Sequence, residues 1–387
     1  ASNAQDSASA GAFAPSESGQ WAEGLRPRGI AGSVLSTTTF GCDLIVAGEF
    51  RFAGDEPARN IARWDGLTWR PLGDGVGGPS SPAIAVFQNT LYAAGVFDHN
   101  ADEVSLARWN GADWIPIPGA PPARDGASSI LTLHATPSLL YIGGNFEEVN
   151  SIATVGVAAW NGVVWTTFST GVSGPVDDVP HPRVEAIVEF NTMPIIAGRF
   201  AAAGAVAANN IAAWDGVAWT PLAEGIRYTF EQGDTCRTPN FPSGVRALAV
   251  HDGELFAGGY FTDAGAVHAS NIARWNGADW APVGPGLCQG FRVVAALHSH
   301  PTGLIAGGDF RVTGPGATPT EVLRVARWDG AAWHPLGEGI GAGQVSESPQ
   351  ALAFTDFEGA LVAAGKFGVA GAAPAQSVAR WDGAAWS

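Results

Sequence analysis

The chain has 387 residues, 46% of them hydrophobic and 14% charged, with a formal net charge of −16. That charge opposes phosphate backbones and argues against nucleic acid as a partner. No apolar run is long enough to span a membrane, so a binding or catalytic role has to be sought in a folded domain.

In chain order, residues 1–20 are rich in Ala, Ser and Gly with no periodicity and read as a flexible N-terminal tail. No signal peptide is in view, so the start reads as a mature terminus after cleavage, or Ser2-Asn3-Ala4 as a cloning scar. Residues 21–387 read as a single domain built from one repeated unit. The second unit serves as specimen. Residues 83–87 and 91–97 are short apolar runs separated by Gln88-Asn89-Thr90, and Leu106–Trp109 and Ala112–Ile117 flank Asn110-Gly111. These are four short strands bounded by turn residues, with no helical period.

Seven copies of Ala-x-Trp-(Asp/Asn)-Gly-x-x-Trp hold 14 of the 15 tryptophans. The pairs are Trp64/Trp69, Trp109/Trp114, Trp160/Trp165, Trp214/Trp219, Trp275/Trp280, Trp328/Trp333 and Trp381/Trp386, recurring every 45 to 61 residues. In each copy Asx-Gly predicts a two-residue type I′ turn between the third and fourth strands. That register sets Trp69 opposite Ala62 and Arg63 opposite Thr68, with Arg108 and Arg274 facing Asp113 and Asp279. One Trp pair in every unit reads as packing between units rather than as an exposed sugar platform. Strand four reads Trp-x-Pro in five units, which places it at a sheet edge, because proline cannot donate to a ladder. The apolar first strand is then innermost. Seven radial four-stranded antiparallel sheets make an all-β, seven-bladed β-propeller. Ring closure is expected from residues 20–25 pairing with the last blade, in competition with the stub at 384–387.

The Gly-Gly-x-Phe ends of the second strands (Gly143-Gly144-Asn145-Phe146, Gly258-Gly259-Tyr260-Phe261, Gly307-Gly308-Asp309-Phe310), with the later Trp, resemble kelch-type propeller repeats. The Ile-Ala-Arg-Trp-Asp-Gly-x-x-Trp-x-Pro-Leu-Gly run is similar to repeats of secreted bacterial propellers of unassigned function. The resemblance covers residues 21–387. It departs from the kelch pattern in the Phe after the Gly pair and in the turn joining two Trp-bearing strands. It implies a fold and no activity, since kelch propellers include both enzymes and interaction modules.

Of three cysteines, Cys236 and Cys288 fall in matching loops of neighbouring units and read as a disulfide, which implies an oxidising compartment and a secreted, extracellular or periplasmic chain. Cys42 reads as a free thiol. Aligned on the strand-two Phe, His134, His251 and His298 share a slot with Phe40, Phe87, Phe190 and Thr355, which reads as packing. His298-x-His300 has no carboxylate beside it in sequence, and no Cys-x-x-Cys is present, so no metal site is assigned. The carboxylate pairs Glu147-Glu148 and Asp177-Asp178 leave a structural calcium ion open, and no cofactor is otherwise expected. No hydrolase, zincin or phosphate-loop motif occurs, so no catalytic residue is assigned.

Alternating chain direction puts the long loops on one face, the largest at 227–243. The residue before the strand-two Phe varies on that face: Glu49, Val96, Asn145, Arg199, Tyr260, Asp309, Lys366. Glu185, Arg246 and Gln350 open the first strands near the channel mouth. All of these except Val96 are the candidate ligand residues. The sequence reading favours a secreted, non-catalytic binding or assembly scaffold holding a protein partner on this face. Its alternative is a carbohydrate-binding propeller, with or without lyase or hydrolase chemistry at the mouth, in which Glu185, Arg246, Tyr260 and Asp309 are the polar and stacking groups.

Overall fold

The computed structural model describes residues 29–78, 82–99, 102–123, 129–174, 181–229, 243–288, 294–313, 320–343 and 349–387. Among them are strands and no helix. Blade four shows the plan. Arg183–Phe190, Met193–Arg199, Ile211–Trp214 and Trp219–Pro221 pair antiparallel in sequence order. Six sheets repeat this path of four strands, and the seventh has three strands with Trp386 bridged to its edge at Trp381.

The first strands are Ile30–Phe40, Ile84–Phe87, Ile130–Ala135, Arg183–Phe190, Gly244–His251, Val294–His300 and Gln350–Phe357. Each packs beside the next and the last packs beside the first, which closes a ring. The architecture is a seven-bladed β-propeller with the first strand innermost and the Trp-x-Pro strand outermost. Neighbouring blades cover both faces of each sheet. The second strands therefore bury continuous apolar runs such as Ile195-Ile196-Ala197 and Leu255-Phe256-Ala257 rather than alternating ones.

The turn between strands three and four differs from its expected form. Trp64 pairs with Trp69 and Ala62 with Pro71, so four residues form the connection instead of two. Arg108 faces Ile115, and Arg274 faces Ala281, not the expected carboxylates. The reason lies in the Asx side chain. Asp65 Oδ1 accepts from the N–H of Leu67 at 2.9 Å and of Thr68 at 2.7 Å, and Asn110, Asn161, Asp215, Asn276, Asp329 and Asp382 do the same. This Asx-turn competes with the backbone turn and wins. The facing indoles then lie 5.1–5.4 Å apart in all seven blades. The second Trp also joins blades. Trp219 Nε1 donates to Phe168 O, Trp280 Nε1 to Leu222 O, Trp333 Nε1 to Val283 O and Trp386 Nε1 to Leu336 O, at 2.8–3.1 Å, each across to the preceding blade.

Small latch sheets tie the blades together on the long-loop face. After strand four a Gly at positive φ (Gly171, Gly225, Gly286, Gly339) turns the chain into a buried aliphatic residue. That residue pairs with the hairpin leaving strand two of the next blade: Val172 with Ala203, Ile226 with Ala264, Leu287 with Thr313, and Ile340 with Ala370. Ile30 pairs with Ala53 in the same way, and its N–H donates to Gln376 O at 2.9 Å, as Ile226 N–H does to Asn209 O. Residues 29–30 thus serve as the latch that follows blade seven. The edge opposite Arg380 is taken by Ser387, the two exchanging backbone hydrogen bonds of 2.8 and 2.9 Å. The expected partners of that edge, residues 20–25, lie outside the described residues, as do the tail 1–20 and Ser2-Asn3-Ala4.

Candidate functional site

The first strand of most blades carries a bulge near its start, and the extra residue is Leu35, Leu131, Glu185, Arg246, Ala295 or Leu352. A bulge presses the first strand's backbone against the second, which requires glycine there. A Cβ on Gly198 would lie 2.2 Å from Arg183 O, and one on Gly259 would lie 2.2 Å from Gly244 O. The recurrent Gly before the variable residue is therefore a consequence of the bulge.

Two neighbouring bulges, in blades four and five, carry charge instead of an apolar side chain. Glu185 receives Arg183 Nε at 2.7 Å and Arg199 Nε at 3.7 Å on Oε1, and Arg246 Nε at 3.3 Å on Oε2. The Glu185 and Arg199 side chains are 8% and 6% exposed, against 30% for Arg183 and 34% for Arg246. A buried carboxylate is thus paired rather than isolated, as desolvation demands. Among the described residues, three guanidiniums gather on this one carboxylate. Gly244 extends it to an aromatic pair. Arg199 Cγ lies 2.8 Å from where a Gly244 Cβ would stand, and Gly244 is the cross-strand partner of Tyr260. The half-buried Tyr228 stacks on Tyr260 with centroids 5.2 Å apart and planes at 15°.

The structure thus gathers Glu185, Arg246 and Arg199 from the sequence-derived candidates. It adds Arg183, which sequence reasoning missed. The signal was available: Arg183 precedes Phe200 by the 17 residues that separate Gln350 from Phe367. Gln350 pairs with Lys366 as Arg183 pairs with Arg199, so Gln350 matches Arg183 and not Glu185. The varied residues before Phe do not form a uniform exposed rim. Arg199, Tyr260 and Asp309 are buried, Asn145 and Lys366 are half-buried, and Glu49 is exposed. Tyr260 is 2% exposed and covered by Tyr228, so it cannot itself stack on a sugar. Glu49 lines a separate cleft of about 1120 Å³ in blade one with Arg51, Phe52 and Arg59. Cys288 is buried on its latch strand; Cys236, most of the 227–243 loop and Asp177-Asp178 lie outside the described residues. Cys42 is free and exposed.

The opposite face brings histidines together. Register places His251 and His300 just before their two-residue turns, in the slot of Phe40, Phe87, Phe190 and Phe357. His134 and His298 stand two residues earlier along the strand, which corrects the single slot drawn from the sequence. Asp356 of blade seven approaches His298 Nε2 at 3.2 Å and His300 Nε2 at 3.7 Å, supplying the carboxylate the sequence neighbourhood lacks. Burial lowers the His300 pKa, while Asp356 opposes that shift. Among the described residues no three His, Cys, Asp or Glu side chains are placed to hold a metal ion.

No family model and no curated protein matches the sequence. Solved structures do. The WD40 β-propeller domain of Doa1 superposes with a TM-score of 0.50 at 11% identity, covering 94% of this chain and 95% of that one. The extracellular domain of a hybrid two-component system from B. thetaiotaomicron gives 0.50 at 12% identity, over 88% of this chain and 38% of that one. The propeller domain of the Trilobed protease from Pyrococcus furiosus gives 0.49 at 10%, over 91% and 96%. The likeness to the Doa1 domain establishes one thing. The fold is a β-propeller. At such identities the propeller scaffold is shared and the site is not compared.

Proposed function

We propose that this propeller is a non-catalytic binding scaffold that holds its ligand on the long-loop face, at the inner ends of blades four and five. The carrying observation is the Glu185 cluster. On a ring whose other bulges are Leu or Ala, charge is concentrated in one sector, on rigid strands, beside the half-buried ring of Tyr228. Rigid strands position polar groups more accurately than loops, and an aromatic plane with convergent guanidiniums suits recognition. That combination favours a glycan over a flat protein surface. Secretion and a Cys236–Cys288 disulfide belong to the same reading.

The test is a binding screen against glycans and cell-wall polysaccharides, with products examined by mass and with Glu185→Gln and Arg246→Gln in parallel. Binding that both variants weaken, without cleaved product, supports the reading. A cleaved product overturns the non-catalytic part. Binding that both variants leave unchanged removes this sector from the site.

A further inference from the structure

We infer that the face opposite the long loops carries an acid-sensitive joint across blades five, six and seven, which loosens as His300 takes up a proton. It stands apart from the binding reading above. His251 of blade five meets Ser299 of blade six through Nδ1 and Oγ at 2.9 Å. On either side of Ser299 along the same strand, His298 and His300 bring their Nε2 atoms to one carboxylate of blade seven, Asp356, at 3.2 and 3.7 Å. Residues two apart on a strand share a face. One short strand thus meets blade five through its middle residue and blade seven through the flanking pair.

The hydrogen bonds of His300 hold it neutral. Its Nδ1 accepts from Thr302 N–H at 3.2 Å, and a backbone N–H only donates. The neutral ring therefore carries its proton on Nε2, toward Asp356. A second proton has to enter at Nδ1, against that N–H, on a side chain 17% exposed. Positive charge is also crowded there. The His298 and His300 ring centroids are 6.4 Å apart, and Arg327 donates to Thr302 O at 2.8 Å. Asp356 opposes them, but both imidazoles share it and it is 44% exposed. Asp252 and Asp329 line the same cleft of about 480 Å³, where they face His251 at 3.5 Å and His334 at 2.6 Å instead. Burial first, then His298 and Arg327, outweigh Asp356 and leave His300 less basic than a free imidazole. The unfolded chain then binds this proton first. The contribution to stability is present above about pH 6.5 and is lost as pH falls through the folded value. Local opening of the His300 turn and the adjoining edge of blade seven relieves it, because Nδ1 then reaches water.

The experiment measures hydrogen–deuterium exchange of the whole chain at pH ~7 and pH ~5.5, a window above ordinary carboxylate titration. Rates are corrected for the intrinsic pH dependence of exchange. Protection at 298–303 and 354–358 should fall at least about threefold on acidification, and more than in the strands of blades two and three. His300→Gln should abolish that extra loss. Asp356→Asn removes the opposing charge, lowers the His300 value further and should enlarge the loss. Near-ultraviolet tryptophan dichroism at pH ~7 shows whether each variant is folded. Equal loss in the wild type and in His300→Gln overturns the joint, as does protection that rises on acidification, which would mean that the ion pair with Asp356 prevails. Should His300→Gln fail to fold, Asp356→Asn decides: a smaller acid loss than in the wild type overturns the inference.

Discussion

Replacing Asn210 by Ala tests how the scaffold holds the site. Asn210 is 2% exposed and sits at φ 72°. Its Oδ1 accepts from Phe200 N–H at 3.2 Å, next to Arg199, and its Nδ2 donates to Ile226 O at 2.8 Å, two residues before Tyr228. One side chain therefore ties both halves of the cluster together. Losing two hydrogen bonds costs about 1 kcal/mol each, and placing alanine in the left-handed region adds about 1 kcal/mol. The sum is about 3 kcal/mol. With an unfolding entropy of about 2.1 cal/mol/K per residue over 387 residues, Tm should fall by about 4 °C. Urea unfolding and a melting scan measure both. Asn210→Gly keeps the backbone conformation and should lose about 1 kcal/mol less than the alanine variant. A loss below about 0.5 kcal/mol for alanine, or a glycine variant worse than alanine, refutes the reasoning.

Three further expectations follow from the same geometry. Trp280→Phe removes the 3.0 Å bond to Leu222 O in the preceding blade and should cost about 1–3 kcal/mol in urea unfolding; no change would mean the indole N–H is not a link. Gly225→Ala should destabilise by more than about 1 kcal/mol, since its Cβ would meet Ala208 O at 2.6 Å at φ 75°, and a neutral melt would discount the latch. Asp65, Asp215, Asp329 and Asp382 have lowered pKa values, chiefly because backbone N–H groups bond their carboxylates. A lowered folded pKa gives stability present above about pH 4 and lost as pH falls through the folded values. The fourfold Asp→Asn variant should therefore unfold less steeply on acidification below pH ~4, since Asn110, Asn161 and Asn276 make the same bonds uncharged. An unchanged acid profile would contradict this.

The sheets were legible because the Trp pairs and Pro-bearing edges repeat with every blade, and repetition exposes a packing demand. The Asx-Gly turn misled because local sequence shows a dipeptide that suits two turns. Only the side-chain bonds of Asp65 and its counterparts choose the four-residue form. Glu185 and Arg246 stood out as charges among the apolar residues of sister strands, but which residues meet depends on the bulge register. Arg183 escaped notice for that reason, and Gln350 was aligned two residues away from its true counterpart. Tyr260 looked like a rim residue until Tyr228 was seen to cover it. The carboxylate beside His298 and His300 comes from the neighbouring blade, about 56 residues on, beyond any local motif.

The central claim is that ligand is held at the inner ends of blades four and five, and hydrogen–deuterium exchange with and without a bound glycan tests it most directly. The account predicts added protection at 183–186, 198–200, 226–228 and 244–247, with little change on the opposite face. Protection confined to the turns around His251, His300 and Asp356 would contradict it.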